Sequence, residues 1–320
     1  MQVAIIGMGL IGVSLGMALR EADERSAPLG KTTVVGYDRD PRATSDARGR
    51  LAIDREARTL KDAVEGADLV VLAVPVQAIR AVMAEIAPLL ANNAVVTDVA
   101  STKQDVMAWA LELLPQTVDF IGGHPMAGKE QSGPQAADHK LFHDAIYCLT
   151  STPRARQDAL DTVEALVRQV KAKPYHIDPA EHDAYVAGVS HLPFVLSAAL
   201  VEATSRSPAW KEMAPLAATG YRDISRLASG SVEMHRDICL TNREGIARWI
   251  DETVEVLLEL RGQLEAGDSA AVQALFERAR ATREQWLESR PNMRPGEEFF
   301  ENVNNVERPG LFGRIRPPKR

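Results

Sequence analysis

Gln2-Val3-Ala4-Ile5-Ile6-Gly7-Met8-Gly9-Leu10-Ile11-Gly12-Val13-Ser14-Leu15-Gly16-Met17-Ala18-Leu19-Arg20 decides the fold. Residues 2–6 form a short apolar run with the character of a buried strand. Gly7 to Gly12 spell a GxGxxG turn, and Val13 to Arg20 have helical periodicity. Strand, glycine turn and helix in that order are the context in which the motif signals dinucleotide binding. The first glycine permits a tight turn, the second admits a pyrophosphate close to the backbone, and the third lets helix pack on strand. The free N–H groups and positive end of the helix then face the phosphates. Gly7, Gly9, Leu10, Ile11 and Gly12 are therefore candidate cofactor residues. The plain alternative is a glycine turn with no ligand.

The end of the second strand tests that reading. Thr32 to Tyr37 is strand-like and Asp38 closes it, where a carboxylate can accept hydrogen bonds from the ribose hydroxyls. A 2′-phosphate would be repelled, so NAD is favoured over NADP, although the adjacent Arg39 tempers the preference. Asp38 lies 26 residues past Gly12, and the loop 21–31 accounts for the extra length. The third strand, Ala67 to Val74, is a continuous apolar run, as burial on both faces requires. Val74 and Pro75 at its end complete the cofactor side. A helix follows over 77–90, then a strand over 94–99, and a helix running to Leu114 that Ser101 or Thr102 can cap. A strand over 120–123 leads into His124-Pro125. Strands near 145–150 and 172–177 flank a helix over 154–170. This alternation predicts a parallel, doubly wound sheet.

From Asp178-Pro179 the pattern is helical only, over 181–200, 210–217, 221–228, 232–241, 243–266 and 269–289. The expected division is a Rossmann-type α/β domain over 1–178, an all-α domain over 179–290 and a loosely ordered tail over 291–320. The chain has 320 residues, 45% hydrophobic and 25% charged, ordinary for a globular protein. Its net charge of −7 gives no general attraction to nucleic acid or anionic membrane. Cys148 and Cys239 stand in no metal-binding spacing and read as reduced thiols of a cytoplasmic protein. No signal peptide is expected ahead of the first strand, and no apolar stretch reaches the ~20 residues of a membrane span. His139 and His143 are four apart, but no third ligand accompanies them, so no metal is expected.

Ligands of doubly wound sheets sit at the carboxyl ends of the strands. Ser101 and His124 both follow such ends, and an imidazole can take a proton near neutral pH. That pair suits a dehydrogenase acting on a hydroxyl. His191, in Ser190-His191-Leu192-Pro193, is either a core histidine or part of the site. Arg222 and Arg226 share a helical face; a guanidinium there could grip a carboxylate, while Arg222 reads better as the partner of Asp223.

These motifs together resemble the prephenate/arogenate dehydrogenase family of tyrosine biosynthesis. The matching segments are Gly7 to Gly12 with Ser14-Leu15, Gly36-Tyr37-Asp38, Asp98 to Lys103, Gly122 to Glu130 with Ser132-Gly133, Ser190 to Pro193, and Gly220 to Arg226. The resemblance implies an NAD-dependent oxidative decarboxylation of prephenate, or of arogenate, in a cleft between an α/β domain and a helical dimerisation domain. It implies His124 as the group taking the hydroxyl proton, Ser101 as its orienting partner, His191 as a substrate-positioning residue and Arg226 as the carboxylate binder. Lys129 and Glu130 fall near the substrate side chain, and Lys129 leaves the choice of substrate open. A homodimer is implied. The 30 or so residues after Arg290 are too few for a regulatory ACT domain. Two other readings are a dehydrogenase of β-hydroxy acids, which commonly relies on a lysine in its helical domain where the stretch 178–200 here offers His191 instead, and a non-catalytic NAD sensor.

Overall fold

The structure, a computed structural model, describes residues 1–22, 27–129 and 131–289. The 291–320 tail and Glu130 lie outside the described residues. The described residues pack as two compact units divided after Leu258.

The opening motif folds as its sequence demands. Strand β1 (Gln2–Ile6) is followed by α1 (Leu10–Glu21), then β2 (Thr33–Tyr37). Next come elements for which the sequence reading had no assignment: α2 (Pro41–Gly49), β3 (Arg55–Glu56) and α3 (Leu60–Val64). Asp40 caps α2 by accepting from Arg42 N, with Pro41 at the first helical position, and Thr59 caps α3. Then follow β4 (Leu69–Leu72), α4 (Val76–Ile86), β5 (Val95–Asp98), α5 (Gln104–Leu113) and β6 (Asp119–Pro125). The sheet ends with β7 (Ile146–Ser151), α6 (Gln157–Gln169) and β8 (Lys173–His176).

The eight strands lie in the order β3-β2-β1-β4-β5-β6-β7-β8. The first six run parallel, in the order of a dinucleotide-binding sheet. The expectation of an all-parallel sheet needs one correction: β7 runs antiparallel to β6, and β8 parallel to β7. Among the described residues between β6 and β7 the one regular element is a short 3₁₀ turn, Pro134–Ala136. None of them forms the helix with which a parallel crossover normally returns.

Both faces of the sheet are covered. Val3, Ile5, Val34, Leu69 and Val71 join one core with Val13, Leu15 and Leu19 of α1 and Val163, Leu166 and Val167 of α6. Ala4, Ile6, Val35, Val70 and Leu72 join the other with residues of α3, α4 and α5. Alternate residues thus serve opposite layers, which is why the strands read as unbroken apolar runs.

After β8 the chain is helical: α7 (Pro179–Val186), a π-helical turn (Ala187–His191), α8 (Leu192–Ser205), α9 (Trp210–Met213), α10 (Thr219–Ser225), α11 (Val232–Thr241), α12 (Arg243–Glu265) and α13 (Ser269–Glu288). The stretch 181–200, expected to be one helix, thus contains a widened turn. Pro179–Ser205 forms a continuous helical run of 27 residues with mean hydropathy 1.7 in its most apolar window. By length and composition alone it could cross a membrane, which corrects the expectation that no apolar stretch approaches that length. A count of uninterrupted apolar residues does not find it, because Gly188, Ser190, His191, Pro193 and Ser197 intervene. The same run carries His182, Asp183 and His191, all buried.

Candidate active site

The glycine loop is built for a close ligand. Gly7 has φ 103°, and a Cβ there would strike the Ala73 carbonyl at the end of β4. A Cβ on Gly12 would strike the Gly7 carbonyl, so α1 packs against its own loop. Gly9 differs, because nothing lies within 4 Å of where its Cβ would be. Gly9 is also the N-cap of α1, with no side-chain cap and no acidic residue in the first turn. The helix end, with Leu10 and Ile11 in its first turn, is thus left with free N–H groups beside open space, as a phosphate requires. The packing of Gly7 on Ala73 sets Val74 and Pro75 next to the loop. Asp38 Oδ2 accepts from Met8 N at 2.7 Å and Oδ1 from Asp40 N at 2.9 Å. Each carboxylate oxygen retains a lone pair for a hydroxyl. Arg39 is exposed beside it. The residues present fit a dinucleotide.

The second cluster lies at the ends of β5 and β6. His124 is within β6 rather than after it, and only 7% of it is exposed. Gly122 and Gly123 precede it because no Cβ fits: Thr150 Oγ1 crowds one position and the Asp98 carbonyl the other. This close packing lets the Lys103 ammonium reach the Gly123 carbonyl at 2.6 Å while it pairs with Asp98. Lys103 and Asp98 are fully buried. Asp98 also accepts from Ala100 N at 2.9 Å and Gly123 N at 3.0 Å, so its charge is well satisfied.

His124 Nδ1 lies 2.8 Å from His182 Nε2, and His182 Nδ1 lies 2.7 Å from Asp183 Oδ1. The carboxylate only accepts, so in its neutral form His182 donates from Nδ1 and accepts at Nε2. His124 must then donate from Nδ1, which leaves its Nε2 as a bare lone pair. Burial above all, then His182, Lys103 and His191, holds the His124 imidazole well below its usual pKa. It is a neutral base at physiological pH.

Asp183 does more than face His182. It accepts from Lys103 N at 2.8 Å and Gln104 N at 2.9 Å, capping α5 from another part of the chain. The expected caps, Ser101 and Thr102, do not serve, since α5 has no side-chain cap of its own and the Thr102 hydroxyl bonds that of Thr241 at 2.9 Å. Asn242 donates to the Asp183 carbonyl at 2.7 Å and lies 3.2 Å from His191 Nδ1. Because Asn242 donates there, His191 carries its proton on Nε2, which is buried without a hydrogen-bond partner of good geometry, beside the Ser101 backbone. Burial foremost lowers the His191 pKa to about 4.

Of the expected site residues, the structure places Ser101, His124 and His191 around one buried cluster. Arg226 begins a 3₁₀ turn, Arg226–Ser229, and is exposed. Lys129 is engaged at the surface, 3.2 Å from Asp138 and 3.3 Å from the Ala136 carbonyl. Arg222 faces Asp223 at 3.4 Å, both exposed. Sequence reasoning gave no role to Asp98, Lys103, His182, Asp183 or Asn242. Asp98 and Lys103 stood within a quoted motif, whereas the other three are joined to the site only by tertiary contacts.

Residues 25–176 match the family model described as prephenate dehydrogenase, nucleotide-binding domain, and residues 178–278 match prephenate dehydrogenase, dimerization domain. A prephenate dehydrogenase of Bacillus subtilis is 33% identical over 287 residues, 88% of this chain and 75% of that protein. The chain belongs to the prephenate dehydrogenase family. Among solved structures, prephenate dehydrogenase from Aquifex aeolicus in complex with hydroxyphenyl propionate and NAD+ superposes with a TM-score of 0.80 at 26% identity, covering 89% of this chain and 97% of that one. Arogenate dehydrogenase from Synechocystis superposes with a TM-score of 0.75 at 29% identity, covering 89% and 100%. Family membership makes the chain an oxidoreductase with a nucleotide-binding domain.

Proposed function

We propose that this family member oxidatively decarboxylates prephenate to 4-hydroxyphenylpyruvate, with NAD+ as oxidant. The observation that carries the reading is His124: a buried, neutral imidazole with Nε2 turned into an acceptor, beside the end of β5 where Ser101 stands. Gly7, Gly9, Leu10, Ile11, Gly12, Val74 and Pro75 would hold the dinucleotide, with Asp38 on the ribose hydroxyls and Arg39 alongside. NAD+ bound there supplies the hydride acceptor. His124 Nε2 takes the proton of the ring hydroxyl as hydride leaves the same carbon, and the ring carboxylate departs as carbon dioxide when the ring becomes aromatic. Ser101 orients the hydroxyl. The Nε2–H of His191, beside the Ser101 backbone, is a donor for a substrate carboxylate, and Arg226 is the cationic binder of a carboxylate. Lys129 lies near the substrate side chain in this reading, and Glu130 falls outside the described residues.

The likeness to the Synechocystis arogenate dehydrogenase favours arogenate as the second reading. We also take 1–178 as the nucleotide-binding part, 179–290 as the substrate and pairing part, and the working form as a homodimer in the cytoplasm. The match to a dimerization domain supports pairing, as do exposed apolar side chains such as Leu216, Val232, Val254 and Leu257. The decisive experiment supplies the purified protein with NAD+ and either prephenate or arogenate, then follows reduced nicotinamide and carbon dioxide. Turnover of prephenate with release of both is expected. Turnover of arogenate alone selects the second reading, and turnover of neither refutes the proposal.

A further inference from the structure

The imidazole read as the base has a second imidazole and a carboxylate behind it. His182 and Asp183 are fully buried, and the line Asp183 Oδ1, His182, His124 is closed by bonds of 2.7 and 2.8 Å. We propose that His182 and Asp183 are positioning residues for the oxidation, holding His124 in one tautomer and providing a resting place for the proton it collects. This rests on the reading of His124 as the base.

The proton count is simple. When His124 Nε2 receives the hydroxyl proton, its Nδ1 proton can pass along the 2.8 Å bond to His182 Nε2. His124 is then neutral again, and His182 is doubly protonated. The charges around the two rings favour that transfer. A cation on His124 faces the Lys103 ammonium and the His191 ring. A cation on His182 faces the Asp183 carboxylate at 2.7 Å. Lys103 is itself paired with Asp98, so part of its field is offset, but it still opposes charge on His124. Asp183 cannot swing away, because Lys103 N and Gln104 N fix both of its oxygens. The same two bonds cap α5 directly after Ser101 and Thr102. One buried carboxylate therefore sets the orientation of the imidazole and anchors the loop that carries the hydroxyl. A carboxylate that fixes the tautomer of a catalytic histidine has a known counterpart in serine proteases, where its amide replacement drops kcat by about 10⁴.

The test uses the full chain with NAD+ and whichever of prephenate or arogenate it turns over. Four proteins are compared: wild type, His124→Asn, His182→Gln and Asp183→Asn. The glutamine amide oxygen can still accept from His124 Nδ1 but cannot take up a proton. If His182→Gln does not fold, His182→Asn serves in its place. The expected result is a fall in kcat of about 10²-fold for the His182 variant and about 10²–10⁴-fold for Asp183→Asn, the range of a general base. KM and NAD+ affinity should stay within about threefold of wild type, since neither residue contacts ligand in this account. A merely structural role would lower the melting temperature and both affinities while leaving the kcat of folded enzyme intact. A His182 variant within about twofold of wild-type kcat, alongside an inactive His124→Asn, overturns this inference and leaves His124 as the base. An active His124→Asn overturns both.

Discussion

Replacing Lys103 by methionine probes the buried centre most sharply. The side chain is wholly enclosed, and its ammonium meets Asp98 and the Gly123 carbonyl. Methionine fills similar space but leaves the Asp98 carboxylate with only the Ala100 and Gly123 N–H groups. Removing one partner of a buried pair costs about 3–5 kcal/mol. In a unit of this size each kcal/mol is worth about 2–4 °C, so the melting temperature should fall by about 6–20 °C. The double variant Asp98→Asn/Lys103→Met removes the stranded charge. It should therefore lie at least about 1 kcal/mol above the sum of the single losses. Recovery will be partial, because an amide oxygen satisfies one backbone donor where the carboxylate satisfied two. The kinetic effect has a definite sign. Lys103 is among the groups that lower the His124 pKa, so its removal raises that pKa and moves the acid limb of kcat/KM to higher pH. Calorimetry of the three variants and a pH profile of the folded single variant are the assays. Strict additivity of the two substitutions, or an acid limb that stays put, would refute the account.

The remaining predictions concern the loop, the substrate and pH. Gly9→Ala should keep the melting temperature and weaken NAD+ binding, whereas Gly12→Ala should destabilise the fold because its Cβ meets the Gly7 carbonyl; calorimetry and a binding titration separate the two. Asp38→Ala should weaken NAD+ and relax discrimination against NADP+, since it removes the ribose acceptor and the tie to Met8; the ratio of kcat/KM values for the two cofactors reads it. Arg226→Ala should raise KM far more than it lowers kcat, and an unchanged KM removes it from substrate binding. His191 titrates at about 4 in the fold against an ordinary 6.5. Its stabilising contribution is full above about 6.5, falls as pH drops, and is lost by about 4, a change on the order of 3 kcal/mol. Between about pH 6.5 and 4 wild type should lose on the order of 3 kcal/mol of stability relative to His191→Gln, which has no imidazole to protonate, and denaturant titrations of the two across that window read the change.

The glycine loop and the strands around it were legible because their signals are local. Gly7 to Gly12 and the acidic end of β2 lie within one strand–helix–strand unit, and the structure closes that unit through the Met8–Asp38 bond. The helix at Pro41–Gly49 does carry a local signal, since Asp40 before Pro41 is an N-cap before a first-turn proline. The reversal of β7 was legible only as the lack of a crossover helix between β6 and β7. The rest of the His124 cluster was not readable. His182 and Asp183 sit 58 and 59 positions from His124, and Asn242 a further 59 from Asp183. Nothing in a helix of mixed apolar and polar residues announces which of its side chains will meet a strand so distant in sequence.

The π-helical turn at Ala187–His191 also sets the phase of the rod it interrupts. In a regular helix the eight steps from Asp183 to His191 would set the two about 80° apart, at about 100° per residue. A surplus residue absorbed by the wide turn reduces that to about 20°, so both can answer to Asn242. Deleting a single alanine, glycine or valine from this turn would let it close into regular helix, and the seven remaining steps would keep His191 about 20° from Asp183. Adding a residue instead would swing His191 about 100° out of line. The wide turn thereby takes one extra residue into the rod without turning His191 away from its partner.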